Sequence, residues 1–401
     1  MDSATLARAA KPAARPIPFD TARLDELLQD AGIDALLVTS KHNVQYLLGG
    51  YRFFFFDYMD AIGVSRYLPV LVYRRGRPEQ AAYIGYRLEA FENELGKFWT
   101  PAVKTAASGS VDAIKLAVEH VRGLGRGIKR IGTEASFLPA DADAALRQAL
   151  PECEIVDAHF PLERLRARKT AAELRLLREA SERVVASMLA VFASCAPGMT
   201  KIEAIERLRR EEVGRGLTFE YCLMTAGTSL NRAPSDQRLE AGDIISLDSG
   251  GNYRGYIGDL CRMGILGEPD SELQDLLAAV DAVQQAARTP IRHGARGGDV
   301  FVAAEKLMNA SPHRGYLEFI AHGMGLISHE APRLHQAGGH IGGDRERLRG
   351  VRRYRPRLEP GRPLTAFPDA VQRSGSPSPA EAANVFRLPA GTHSAESRLT
   401  A

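Results

Sequence analysis

The chain has few cysteines and no paired ones. Cys153, Cys195, Cys222 and Cys261 are scattered through 401 residues without a CxxC spacing. That excludes a zinc–cysteine site and favours reduced, mostly buried thiols in a cytosolic protein. No apolar run approaches the roughly 18 residues of a transmembrane helix. The opening MDSATLARAAKPAARPIP lacks the apolar middle of a secretion signal and reads as a loose, Pro-interrupted tail over residues 1–18. A large excess of charge is also missing: 52 basic against 49 acidic side chains leave a net +3, too little to signal a nucleic-acid footprint or a membrane surface. The expectation is a cytoplasmic protein that binds neither.

What is present suits an ordinary globular protein, with 45% apolar and 25% charged residues. The length allows two domains, each with its own core. Leu24, Leu27 and Leu28 lie on one face of a helix that Gly32 stops, and ALLV at Ala35–Val38 reads as a buried strand. Strands are expected at Tyr67–Tyr73 and Gln80–Ile84, with α/β alternation through Ile131–Thr133, Ala140–Leu150 and Glu154–Val156. The four phenylalanines Phe53–Phe56 are read as packing rather than substrate contact. A long amphipathic helix begins near Lys169, with Leu174, Leu177, Val184, Met188 and Val191 as its stripe. The plainer of two readings of Lys169 and Glu173 is that they solvate its outer face. Further helices are expected over KIEAIERLRREEVGRG, Asp270–Ala287 and Asp299–Met308, and a strand over Phe219–Ala226.

The most informative stretch is Ile244–Met263, IISLDSGGNYRGYIGDLCRM. It reads as a tight antiparallel hairpin carrying Asp248 and Asp259. With a turn on Tyr253 and Arg254, these two acids face each other across the ladder. Opposed like charges destabilise a sheet, and adjacent carboxylates do not both ionise freely. A divalent cation resolves the conflict, and a pair of ions sharing a carboxylate can activate water for hydrolysis. The plainer alternative is an edge hairpin with two solvated acids.

Taken with FIAHGMGLISHEAP at Phe319–Pro332, the segment LDSGGNYRGYIGDLCR resembles the superfamily of Xaa-Pro peptidases, creatinase and methionine aminopeptidases. The resemblance spans roughly residues 19–335. It implies an α/β chain with a creatinase-type amino-terminal domain at 19–162 and a pita-bread α+β catalytic domain at 163–335. It assigns Asp248, Asp259 and His322 as metal ligands, and His329 as a catalytic group that hydrogen-bonds the substrate carbonyl. Glu330 is expected to orient its segment. The family usually keeps a histidine in the connection before the hairpin, where this chain has Arg232, Ala233 and Pro234; a turn is the plainer reading, and binding of a substrate carboxyl or carbonyl group by Asn231 or Arg232 is the alternative. The implied cofactor is divalent metal, manganese first with cobalt or zinc as alternatives, two ions in the family and one or none here. The implied activity is cleavage before proline in small peptides, by a homodimer. A non-catalytic binding protein and a metal-free C–N hydrolase of the creatinase kind are the alternatives.

The resemblance fails near the carboxy terminus. In LEPGRPLTAFP the position of an expected glutamate ligand is Phe367, which cannot hold metal. Composition changes near His335, seven arginines fill Arg345–Arg357, and the remainder is rich in Pro, Ser and Ala. Residues 336–401 are therefore expected to be atypical, from a shifted reading frame of a GC-rich gene, and the catalytic domain incomplete.

Overall fold

The computed structural model describes residues 15–58, 68–292, 295, 297–334 and 365–366. The chain divides into two compact units, Met1–Arg166 and Ala167–Ala401.

The first unit carries helices α1 (Thr21–Asp30), α2 (Lys41–Leu47), α3 (Ala90–Glu94), α4 (Ser110–Gly123), α5 (Ala140–Ala149) and α6 (His159–Ala167). Its strands are β1 (Ala35–Val38), β2 (Val70–Arg74), β3 (Arg77–Tyr86), β4 (Ala102–Ala107), β5 (Arg130–Thr133) and β6 (Glu154–Asp157). They form one mixed sheet in the order β4-β3-β2-β1-β5-β6. Asp20 caps α1 by accepting from the Arg23 amide, and Leu24, Leu27 and Leu28 are buried as their spacing requires. Gly32, at φ 66°, turns the chain into β1. Every residue of β1 is buried because its two faces feed different cores: Leu36 and Val38 pack with the α1 leucines, Leu37 with Val72 and Ile114. Phe53 and Phe56 are buried against Tyr86, so half of the phenylalanine run is packing, while Phe54 is exposed.

The second unit carries α7 (Ala171–Phe192), α8 (Lys201–Gly214), α9 (Ser271–Arg288) and α10 (Gly297–Ala310). Its strands are β7 (Thr218–Ala226), β8 (Ile244–Tyr253), β9 (Tyr256–Ile265), β10 (Ala321–Gly323), β11 (Glu330–Leu334) and the two-residue β12 (Thr365–Ala366). The order β12-β9-β8-β7 makes one antiparallel sheet, and β10 and β11 make a separate pair. Thr170 and Thr200 open α7 and α8 with capping boxes closed by Glu173 and Glu203. The carboxy-terminal half of α7 packs on one face of the sheet, where Val184, Met188 and Val191 meet Ile245, Leu247 and Leu260. Gly258 permits this closeness, since a Cβ there would lie 2.9 Å from the backbone of Ala180 and Ser181.

Two expectations about helix faces are corrected. Leu174 is exposed and Leu177 only half-buried, so the first turns of the α7 stripe do not reach the core. Lys169 and Glu173 do not solvate an outer face. Lys169 reaches the buried Glu330 carboxylate at 2.5 Å, and Glu173, also buried, accepts from the Tyr256 hydroxyl at 3.2 Å. Along α9 only Val283 and Ala287 are buried, packed with α10 and Ala321.

Candidate metal centre

The hairpin exists, but its register differs by two residues from the expected one. The two turn residues are Arg254 and Gly255, at φ 53° and 96°, the positive-φ pair that a tight hairpin of the favoured hand requires. Tyr253 therefore pairs with Tyr256, Asp248 faces Cys261, and Asp259 faces Gly250. The two acids are diagonal rather than directly opposed. A shift of two keeps every side chain on its own face, so both carboxylates still share the face opposite α7. Their mutual repulsion is weaker than in the expected register because diagonal neighbours stand farther apart. The Arg-Gly turn could have been recognised in the sequence, since glycine supplies the second positive φ without strain.

Asp259 is brought together with both histidines of the second motif. Its Oδ2 lies 3.9 Å from His322 Nε2 and 3.7 Å from His329 Nδ1. The two imidazoles stack with centroids 3.9 Å apart. One donor atom from each of the three residues falls within 4.8 Å of the others. Backbone bonds fix this approach: the Ile257 amide donates to the Gly325 carbonyl at 2.8 Å, and the Asp259 amide to Met324 Sδ at 3.3 Å. The glycines of HGMG are obligatory. A Cβ on Gly323 would lie 2.5 Å from the Ala331 carbonyl oxygen, and one on Gly325 would overlap the Glu330 carboxylate. Glu330 is 1% exposed and paired with Lys169, so it anchors the loop between the two histidines.

Hydrogen-bonding neighbours of both rings are also placed. His322 Nδ1 is 3.1 Å from the Gly323 carbonyl, and donation there leaves Nε2 with its lone pair facing the carboxylate. Ser328 Oγ lies 2.9 Å from His329 Nδ1.

Asp248 is engaged differently. The Arg232 guanidinium forms an ion pair with its Oδ2. Asn231 sits beside it in the exposed connection, its side-chain oxygen accepting from the Ala233 amide at 3.1 Å and its carbonyl accepting from the buried Lys201 ammonium. Thus Asp259, His322 and His329 come together, while Asp248 and Asn231 stand to the side with Arg232. The sequence offered Arg232 only as a substitute for a missing histidine, and nothing in residue order signals its contact with an acid sixteen positions on.

Electrostatics follow burial. Asp259 titrates above the usual carboxylate range, chiefly because it is buried and further because of the Asp248 charge; the Tyr221 hydroxyl and the two imidazoles pull the other way. Beneath the sheet, burial raises the Glu212 carboxyl to about 7, opposed only by the Ser249 hydroxyl donating at 2.9 Å. Burial also pushes Cys195 to about 11 and Cys222 to about 12, and raises Cys153 and Cys261. None of the four thiols is prepared as a thiolate nucleophile.

Residues 175–375 match metallopeptidase family M24, and residues 21–168 match the Creatinase/Prolidase N-terminal domain. The chain belongs to metallopeptidase family M24. The M24 match runs past the composition change near His335. A curated peptidase of Bacillus subtilis, the uncharacterized YqhT, is 24% identical over 78% of this chain and 84% of its own length. The Xaa-Pro dipeptidase of Pyrococcus horikoshii is 22% identical over 78% of this chain and 83% of its own. Among solved structures, an Xaa-Pro dipeptidase from Bacillus anthracis superposes with a TM-score of 0.67 at 23% identity, covering 78% of this chain and 83% of that one. The fold is accordingly a creatinase-type amino-terminal domain followed by an M24 pita-bread domain.

Divalent metals belong to M24 peptidases, and the donors present suit one ion. A carboxylate and two imidazoles, two of the three half-buried or deeper, converge on one point, a set that borderline cations accept. A second ion is less well provided for among the described residues, because Asp248 already holds a cation. Phe367 lies outside the described residues, as do the arginine-rich run and the Pro, Ser and Ala tail.

Proposed function

We propose that this M24 chain is a metal-dependent peptidase acting before proline in small peptides. The observation that carries the reading is the convergence of Asp259, His322 and His329 on the face of the β8–β9 hairpin opposite α7. Asp259 and His322 hold the ion in this reading. Asp248 supports the charge of the site, and His329, the more exposed imidazole, faces the substrate carbonyl. A divalent ion there supplies Lewis-acid chemistry for amide hydrolysis. Asn231 and Arg232 border the same face and supply polar contacts for the peptide. Relatives described as Xaa-Pro dipeptidases support the substrate class.

The test is hydrolysis of Xaa-Pro dipeptides by the full chain after metal removal and after readdition of manganese, cobalt or zinc. Turnover that depends on the ion supports the reading. Hydrolysis indifferent to chelation contradicts it, and binding of the peptide without hydrolysis favours the non-catalytic alternative. The reading carries a cytoplasmic homodimer as the working form, tested by light scattering of the purified chain and by cell fractionation.

A further inference from the structure

We propose that the centre takes a single divalent ion, with Asp259, His322 and His329 all as ligands, and that the Arg232 guanidinium occupies the second cation place at Asp248. The inference rests on the proposed reading of the site as a metal centre and goes beyond it in three respects: His329 becomes a ligand, the ion count becomes one, and zinc becomes the preferred metal.

His329 qualifies by position. Its Nδ1 is as close to Asp259 Oδ2, at 3.7 Å, as His322 Nε2 is, at 3.9 Å. The stacked rings present these two nitrogens side by side toward one carboxylate oxygen. In the tautomer with its lone pair on Nδ1, His329 receives the Ser328 hydroxyl at 2.9 Å, and an ion takes over that place. For His322 the Gly323 carbonyl fixes the other nitrogen as the donor, the arrangement that orients imidazole ligands.

Arg232 limits the count. An ion coordinated by Asp248 would have to displace the guanidinium from that carboxylate or lie against it, cation to cation. The Arg232 side chain is 53% exposed, so the ion pair itself adds little to stability. Its effect is competitive: it neutralises Asp248 while that acid is without metal and lowers the affinity of any second ion. With Asp248 engaged, the first ion meets one carboxylate and two imidazoles among the described residues. Imidazole-rich sets of that kind suit zinc, whereas manganese and magnesium favour oxygen ligands.

The metal-stripped full chain is titrated with zinc and with manganese by calorimetry, and the manganese form is read by electron paramagnetic resonance. Expected are one equivalent, tighter zinc than manganese, and an isolated six-line manganese spectrum. His329→Ala, which removes a ligand itself, should weaken the ion by at least the about 10- to 100-fold that loss of a group hydrogen-bonded to a ligand costs. Arg232→Ala should admit a second, weaker equivalent that Arg232→Ala/Asp248→Ala loses, whereas Arg232→Lys should keep one. Circular dichroism of each variant establishes that it is folded. Two equivalents in the unaltered chain, a count unmoved by Arg232→Ala, manganese binding as tightly as zinc, or an affinity indifferent to His329→Ala would each overturn the inference while leaving a metal peptidase in place. Absence of any bound ion would overturn both.

Discussion

Lys169 donates to Glu330 at 2.5 Å, with the lysine side chain 10% and the glutamate side chain 1% exposed. This buried ion pair ties Lys169, two positions before the first residue of α7, to the residue just after His329. Removing one partner takes this compensation from the other, buried charge, and breaking a buried pair in that way typically costs about 3–5 kcal/mol. Lys169→Met and Glu330→Gln are each expected to lower the unfolding midpoint in urea and to weaken metal binding through the displaced histidines. The double substitution Lys169→Met/Glu330→Leu should recover much of the stability. Equal losses in single and double variants would show that the pair is not coupled.

The close packing of α7 on β9 at Gly258 makes a separate prediction. A methyl group there meets backbone atoms that cannot rotate away. Gly258→Ala is expected to destabilise the second unit by about 1–3 kcal/mol, the usual range for overpacking. Gly298→Ala, in the first turn of α10 with nothing within 4 Å of the added carbon, should be neutral or slightly stabilising. Thermal melts of the two variants make the comparison.

Glu212 predicts a pH dependence of stability. Burial raises its carboxyl to about 7 in the folded chain, whereas the unfolded chain has the usual value near 4.3. The folded state holds the proton more tightly. Its contribution is therefore fully present below about pH 4.3 and is lost as pH rises through about 7. Unfolding free energy should fall across that window by about 4 kcal/mol at most. Glu212→Gln should flatten the profile over the same window. A profile unchanged by the substitution would assign the pH dependence to other groups.

Much of this molecule was legible in its residues because its elements carry strong local signals. The α1 leucines and the ALLV strand each decide their element from within a few positions. The hairpin and its two acids were equally clear, and so was the meeting of His322 with Asp259 through resemblance. The register was misread because the turn was centred on Tyr253 and Arg254, without weighing Gly255 as a positive-φ residue. Lys169 and Arg232 were misjudged for a different reason. Their partners lie 161 and 16 positions away, and only the folded backbone brings them within reach. Strand β4 and helix α4 went unassigned: β4 is half-buried through most of its length and shows no alternation.

The account stands on metal binding at the face of the β8–β9 hairpin. The most direct measurement is the zinc affinity of the purified, metal-stripped chain beside that of Asp259→Ala, each established as folded by circular dichroism. The account predicts saturable binding that the substitution abolishes, together with loss of Xaa-Pro hydrolysis. Binding of equal strength in both proteins would place the metal elsewhere and contradict it.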